Sequence, residues 1–147
     1  MNEQSLRWLT QAHHDLDAAK KNQVIELYDV ALVLCQQALE KALKALYIAQ
    51  TGQFPPRIHS LERLADLTQM RPRLEQALLD LEDFYIRLRY PDFSGPMPYE
   101  LAEPADVAQA VSLTEQALLT VEQEIEKLPR SSVDDEARTE ASDDDHK

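Results

Sequence analysis

The chain has 147 residues, a formal net charge of −12, one cysteine and two glycines. That length fits one domain with its own core, the lone cysteine excludes an intramolecular disulfide framework, and the acidic balance disfavours a broad phosphate-binding face. No apolar run reaches the roughly 20 residues that span a bilayer, and the polar start Asn2–Ser5 is not a secretory signal, so the expected compartment is the cytoplasm.

The first predicted helix covers Glu3 to Lys21. Leu6, Leu9, Ala12, Leu16 and Ala19 recur at a spacing of three to four, with Trp8 on the flank of that face. Asn22 and Gln23 loosen the pattern. The second helix runs from about Leu27 to Gln50. Its stretch Tyr28–Tyr47 is apolar almost all round, and the polar residues Gln36, Gln37, Glu40, Lys41 and Lys44 fall on one narrow stripe. A helix with so little polar surface is covered by other helices on most sides, so this one is expected at the centre of a bundle. Cys35 within it reads as a small buried hydrophobe. The stripe is expected to point at solvent, a groove or a partner subunit, and Glu40 with Lys44 makes an i,i+4 pair worth about 0.2–0.5 kcal/mol.

Gly52 follows where a left-handed residue closes the helix, and Pro55-Pro56 forbids continuation. A third helix starts near His59 or Ser60 and carries Leu61, Leu64 and Leu67. Glu62 lies in its first turn, where a negative charge suits the helix dipole. Pro72 marks a fourth start. Leu74, Leu78, Leu81 and Tyr85 form its stripe, broadened by Ala77, Phe84 and Leu88. It ends in Arg87-Leu88-Arg89-Tyr90, and Pro91 stops it. Asp92 to Glu103 reads as a loop punctuated by Gly95, Pro96 and Pro98. Pro104 opens a last helix whose stripe includes Val107, Val111, Leu118, Val121 and Ile125, and Pro129 closes it.

No segment alternates with period two over a useful length. The expected fold is all-α: an up-and-down bundle of about five helices over residues 1–129. Residues 130–147 are polar, aliphatic-poor and acidic, and are expected to form a disordered tail, because they cannot bury enough apolar surface to offset their ordering entropy.

Several residues carry chemistry. Arg87 and Arg89 at a helix end, beside Tyr90, can form an anion site, since guanidinium forks fit phosphate. The plainer reading is that cations favour helix C-termini and pair with Asp83 or Asp92. His13 and His14 share a helix with Asp17, yet a metal needs a further ligand from elsewhere. An amphipathic histidine is the simpler account, and neither metal nor cofactor is expected. His59 reads as a helix-start residue tying its loop to the fourth helix, with a catalytic role as the alternative. The stripe offers Gln37, Lys41 and Lys44 as ligand contacts. No P-loop or glycine-rich turn occurs, and Ser60 and Ser94 lack a recognisable base motif.

The ordered series of residues resembles the HEPN domain family. Trp8, Ala12, Asp15 and Leu16 match its first helix. Tyr28 and the run Cys35-Gln36-Gln37-Ala38-Leu39-Glu40-Lys41-Ala42-Leu43-Lys44-Ala45-Leu46 match its core. Gly52, Pro55-Pro56 and His59-Ser60-Leu61 with Leu64 match its next segment, and Arg89-Tyr90-Pro91-Asp92 matches another. The resemblance spans about residues 5–128.

The resemblance implies several roles. Many HEPN domains cleave RNA as dimers through an Arg-x4–6-His motif. Others lack the motif and bind nucleotides or other ligands, and many are encoded beside a minimal nucleotidyltransferase that serves as partner or antitoxin. Cleavage through a 2′-hydroxyl needs a proton acceptor and a cation for the developing charge. Four to six residues beyond Arg87 or Arg89 the chain has Asp92, Phe93, Ser94, Gly95 or Pro96, and no histidine lies between His59 and His146. The leading expectation is therefore a homodimeric binding module for a nucleotide or anion, or for a nucleotidyltransferase partner in a toxin–antitoxin-like system. Its contacts would be Arg87, Arg89, Tyr90, Gln37, Lys41 and Lys44. One alternative is a toxin-like, metal-independent endoribonuclease acting on RNA through Arg89 with the non-local His59, or with Tyr90. Another is a pure protein-interaction module using the stripe and the acidic tail.

Overall fold

The computed structural model describes residues 2–89 and 95–129, with the backbone alone at Arg89. Tyr90 to Ser94, and with them most of the Arg-Tyr-Pro-Asp segment, lie outside the described residues, as does the acidic stretch 130–147. The described residues form six helices and no strand: α1 (Glu3–Val24), α2 (Tyr28–Thr51), α3 (Leu61–Leu67), α4 (Arg71–Arg89), α5 (Pro98–Leu101) and α6 (Pro104–Glu126). None is long and apolar enough to cross a membrane.

Local chemistry sets the ends. Asn2 caps α1 by accepting from Ser5 N at 2.7 Å. Gly52 closes α2 at φ 68°, where a Cβ would be strained. Ser60 caps α3 by accepting from Arg63 N at 3.3 Å. Glu103 and Asp106 form a reciprocal capping box ahead of α6. α1 runs through Asn22 and Gln23 to Val24, three residues past the expected end, because its last turn still completes its backbone ladder before Ile25. α5 is a single turn inside the expected loop, started by Pro98 at its first position.

α2 lies at the centre and packs on α1, α3, α4, α5 and α6. Leu32, Cys35, Leu39, Ala42, Leu43 and Leu46 are fully buried. The faces expected for α4 and α6 are buried through Leu74, Leu78 and Leu81 and through Val107, Leu118 and Val121. Leu6 and Leu67, placed on apolar stripes by their spacing, are instead 53% and 45% exposed, since each lies at the edge of its helix's contact face. Burial raises the Cys35 thiol to about 11, against a smaller opposing effect of the Thr114 hydroxyl, which fits a cysteine serving as an apolar filler.

Ser5 Oγ donates to Ala45 O at 2.8 Å, and Asp15 pairs with Lys41, so α1 and α2 are antiparallel. The up-and-down alternation is then broken once. Gln36 Nε2 donates to His59 O at 3.3 Å, ahead of α3, while Gln50 Nε2 donates to Thr68 O at 3.1 Å, at its end. α3 therefore runs parallel to α2, because the proline-bearing strap Gly52–Ser60 carries the chain back along α2 before α3 begins.

Candidate functional site

The polar stripe of α2 does not lie open. Gln36, Glu40 and Lys44 are buried, at 0%, 8% and 5% exposure. α1 and the strap fold over the stripe, and its charges survive burial by pairing. Lys44 Nζ donates to Glu40 Oε2 at 3.4 Å and sits 5.6 Å from the Trp8 ring centroid. Lys41 donates to Asp15, whose other oxygen accepts from Gln11 Nε2 at 2.9 Å. The expected Glu40–Lys44 pair is present, but in a setting where removing one partner strands a buried charge. Gln37 is half-buried on the same helix.

His59 reaches a different partner from the one its position implies. Its Nδ1 lies 3.1 Å from Glu40 Oε1 on α2, and its side chain is 63% exposed. A carboxylate only accepts, so Nδ1 is the donor of this contact. The tie from the strap to α4 comes two residues later, where Leu61 N donates to Glu82 Oε2 at 3.0 Å. Partial burial pushes the Glu82 carboxyl above its ordinary range; the Leu61 amide opposes that rise, and the nearby charges of Glu62 and Glu40 add to it. The Gln36 amide is oriented by its bond to His59 O, which leaves its buried Oε1 without a partner among the described residues.

Arg87 pairs with Asp83 at 2.8 Å, as a helix-end cation does, and lies 5.3 Å from the Phe84 ring centroid. Both charged side chains are at least half exposed. The Arg89 backbone continues α4. His13 does not join Asp17: it pairs with Glu122 of α6, while Asp17 takes Lys21 at 2.9 Å. Among the described residues no group of three or more His, Cys, Asp or Glu side chains is arranged to hold a metal ion.

Sequence reasoning proposed no role for Asp15, Trp8 or Glu82 in this network. Asp15 had a signal: it stands between Ala12 and Ala19 on an otherwise apolar face, where an acid needs a partner. Glu82 had none, because its role depends on where the strap ends.

The sequence model of the HEPN domain family matches residues 5–125. The chain is 30% identical to TT1696 from Thermus thermophilus, covering 84% of this chain and 99% of that one, with a TM-score of 0.75. It is also 30% identical to ST0689, an archaeal HEPN homologue, with the same coverage and a TM-score of 0.70. No curated protein matches.

Proposed function

Because this chain belongs to the HEPN domain family, we propose that it is a binding module of that family. It takes a nucleotide or similar anion at the C-terminal end of α4 and works beside a minimal nucleotidyltransferase in a toxin–antitoxin-like pair. The observation that carries this reading is the state of Arg87. Among the described residues its ion pair is with Asp83, and both side chains are at least half exposed. Such exposed pairs contribute about 0–1 kcal/mol, so an incoming phosphate displaces Asp83 at little cost. Lys41 and Lys44 are held by Asp15 and Glu40 and serve as scaffold, with Gln37 beside them. Arg89 and Tyr90 extend the site by their place in the sequence. The missing histidine after Arg89 separates this reading from the family's ribonuclease route.

Titration calorimetry of ATP, ADP and AMP tests the ligand. Binding to the wild type that falls in Arg87→Ala and Arg89→Ala is expected; a flat or unchanged signal across the panel removes this half. Co-expression with a neighbouring nucleotidyltransferase gene tests the partner, and separate elution of the two proteins removes it. A homodimer is supported by Leu79 and Ile86, one heptad apart on α4 and 56% and 65% exposed. Light scattering that returns a monomeric mass overturns that part.

A second reading has its own support. The imidazole of His59 is exposed and held through Nδ1 by the Glu40 carboxylate at 3.1 Å, the positioning a general base needs, which favours a metal-independent endoribonuclease. Induced expression in a bacterial host tests it, and normal growth with intact RNA argues against it.

A further inference from the structure

One end of the bundle keeps its apolar side chains in water. α1 and α2 meet there in the turn between Val24 and Tyr28. His13 and Lys20 of α1 pair with Glu122 and Glu115 of α6, so α6 runs antiparallel to α1 and begins at this end. Arg73 donates to Glu124 at 2.7 Å and Gln109 to Asp80 at 2.9 Å, so α4 runs antiparallel to α6 and finishes here. α5 packs on α2 and α4 and stops three residues before α6 starts, which places it at the same end. Val24, Ile25, Leu27 and Val30 are 81%, 64%, 46% and 40% exposed, and on and beside α5 Tyr99 and Met97 are 64% and 46% exposed. Half of the large hydrophobic side chains exposed among the described residues therefore lie at this one end, and apolar surface gathered in this way marks a contact with something else.

The turn holds these side chains outward. Ile25 N donates to Lys21 O at 3.3 Å and Leu27 N to Asn22 O at 2.9 Å, so the chain reverses on its own backbone without bringing Val24 or Ile25 into the core. Glu26 stands between them at φ 63°, a left-handed conformation that favours glycine. The position keeps a carboxylate all the same, and among the described residues that carboxylate makes no ion pair. Asp29, Glu100 and Glu103 at the same end make none either. The described cations of this end are all matched: Lys20 with Glu115, Lys21 with Asp17 and Arg87 with Asp83. Unmatched charge around the apolar side chains is therefore negative.

We infer that the end formed by the α1–α2 turn and α5 is a docking surface for an amphipathic helix of another protein, with lysines or arginines beside its apolar face. Val24, Ile25, Leu27 and Tyr99 leave water on docking and drive the association, while the unmatched acids select the partner's charge and register. The described residues offer no free strand edge to extend, so a helix laid across helix ends is the mode of contact left. Charge decides between occupants. A second copy in a two-fold contact sets Glu26, Asp29, Glu100 and Glu103 against their own copies. An anionic lipid surface or a nucleic acid meets the same repulsion. A helix with a basic rim meets none of it. This surface depends on neither the nucleotide site nor the homodimer proposed above.

The experiment titrates the full chain, by fluorescence anisotropy at low and at high salt, with two labelled amphipathic helical peptides. Both carry leucines on one face; one has lysine and the other glutamate at the remaining positions. Ile25→Ser/Leu27→Ser removes apolar contacts, Glu26→Lys/Glu100→Lys reverses the rim, and Leu119→Ser alters an exposed leucine away from this end. All of these side chains are exposed, so the variants keep the core intact. The lysine peptide is expected to bind the wild type, more weakly at high salt, with a loss of about tenfold or more in each double variant and no change in Leu119→Ser; the glutamate peptide is expected not to bind. No binding of the lysine peptide, affinity unchanged in either double variant, or equal binding of the two peptides overturns the inference. So does a dimeric mass in light scattering that falls to the monomer in Ile25→Ser/Leu27→Ser, which gives the surface to a second copy. Binding to phosphatidylglycerol vesicles that the same variant loses gives it to a membrane and also overturns the inference. Each of these failures leaves the nucleotide reading of α4 standing.

Discussion

Two sets of basic residues in this bundle have opposite fates. Lys41 and Lys44 on α2 are drawn inward, each with an acid of its own and Lys44 beside Trp8. Arg57 and Arg63, on the strap and on α3, stay exposed without an ion pair. The lysines hold elements together, so their charge is already spent on the fold. The arginines contribute nothing visible to it. Sequence neighbourhood singled out the lysines for a ligand, yet those are the cations that the fold itself uses.

The comparison can be broken at its base. Leu39 is fully buried in α2. Leu39→Asp is expected to abolish the cooperative thermal transition, because an unpaired carboxylate there costs several kcal/mol against a typical total of about 5–15 kcal/mol. A soluble Leu39→Asp variant with a sharp melt would mean the centre of the bundle is misassigned.

The inward set is tested next. Glu40→Ala strands Lys44 and frees His59, and a loss of about 3–5 kcal/mol is expected in urea unfolding. The double variant Glu40→Gln/Lys44→Met should recover much of it, since the buried charges then vanish together. A Glu40→Ala loss below about 1 kcal/mol would place the pair with weak surface bridges.

Glu82 gives a smaller, pH-dependent effect. Its carboxyl titrates above the ordinary range in the folded protein, so folding favours its protonated form. The stability this contributes is complete below the unfolded value and is lost as pH rises through the folded one. Glu82→Gln should therefore gain on the wild type as pH rises from 4 to 7, while Glu82→Ala loses about 1 kcal/mol with the Leu61 hydrogen bond. Urea midpoints at both pH values measure this, and a Glu82→Gln difference that does not change with pH contradicts it.

The outward set should move stability least. Arg57→Gln/Arg63→Gln is expected to unfold within about 0.5 kcal/mol of the wild type. A larger loss would show that these arginines also hold the fold, and the contrast with the lysines would fail.

Most of the bundle was legible in the chain. The spacing of Leu32, Leu39, Leu43 and Leu46 sets a helix that has to be enclosed, because its apolar surface leaves no wide face for water. Gly52, Ser60 and Pro104 mark ends whose backbone chemistry is local, and the HEPN series from Trp8 to Asp92 carried the family. None of this depends on distant contacts.

Tertiary structure alone decided the rest. The direction of α3 follows from how far the strap travels before Ser60 caps it. The partner of His59 is Glu40, which stands 19 residues away, because the strap returns along α2. Whether Lys44 faces a ligand or a core carboxylate depends on Trp8 and the strap closing over it. Helix ends and apolar faces are written in neighbours three or four residues apart. Charge pairing between elements is set by which surfaces the packed helices bring together, and no local pattern contains that information.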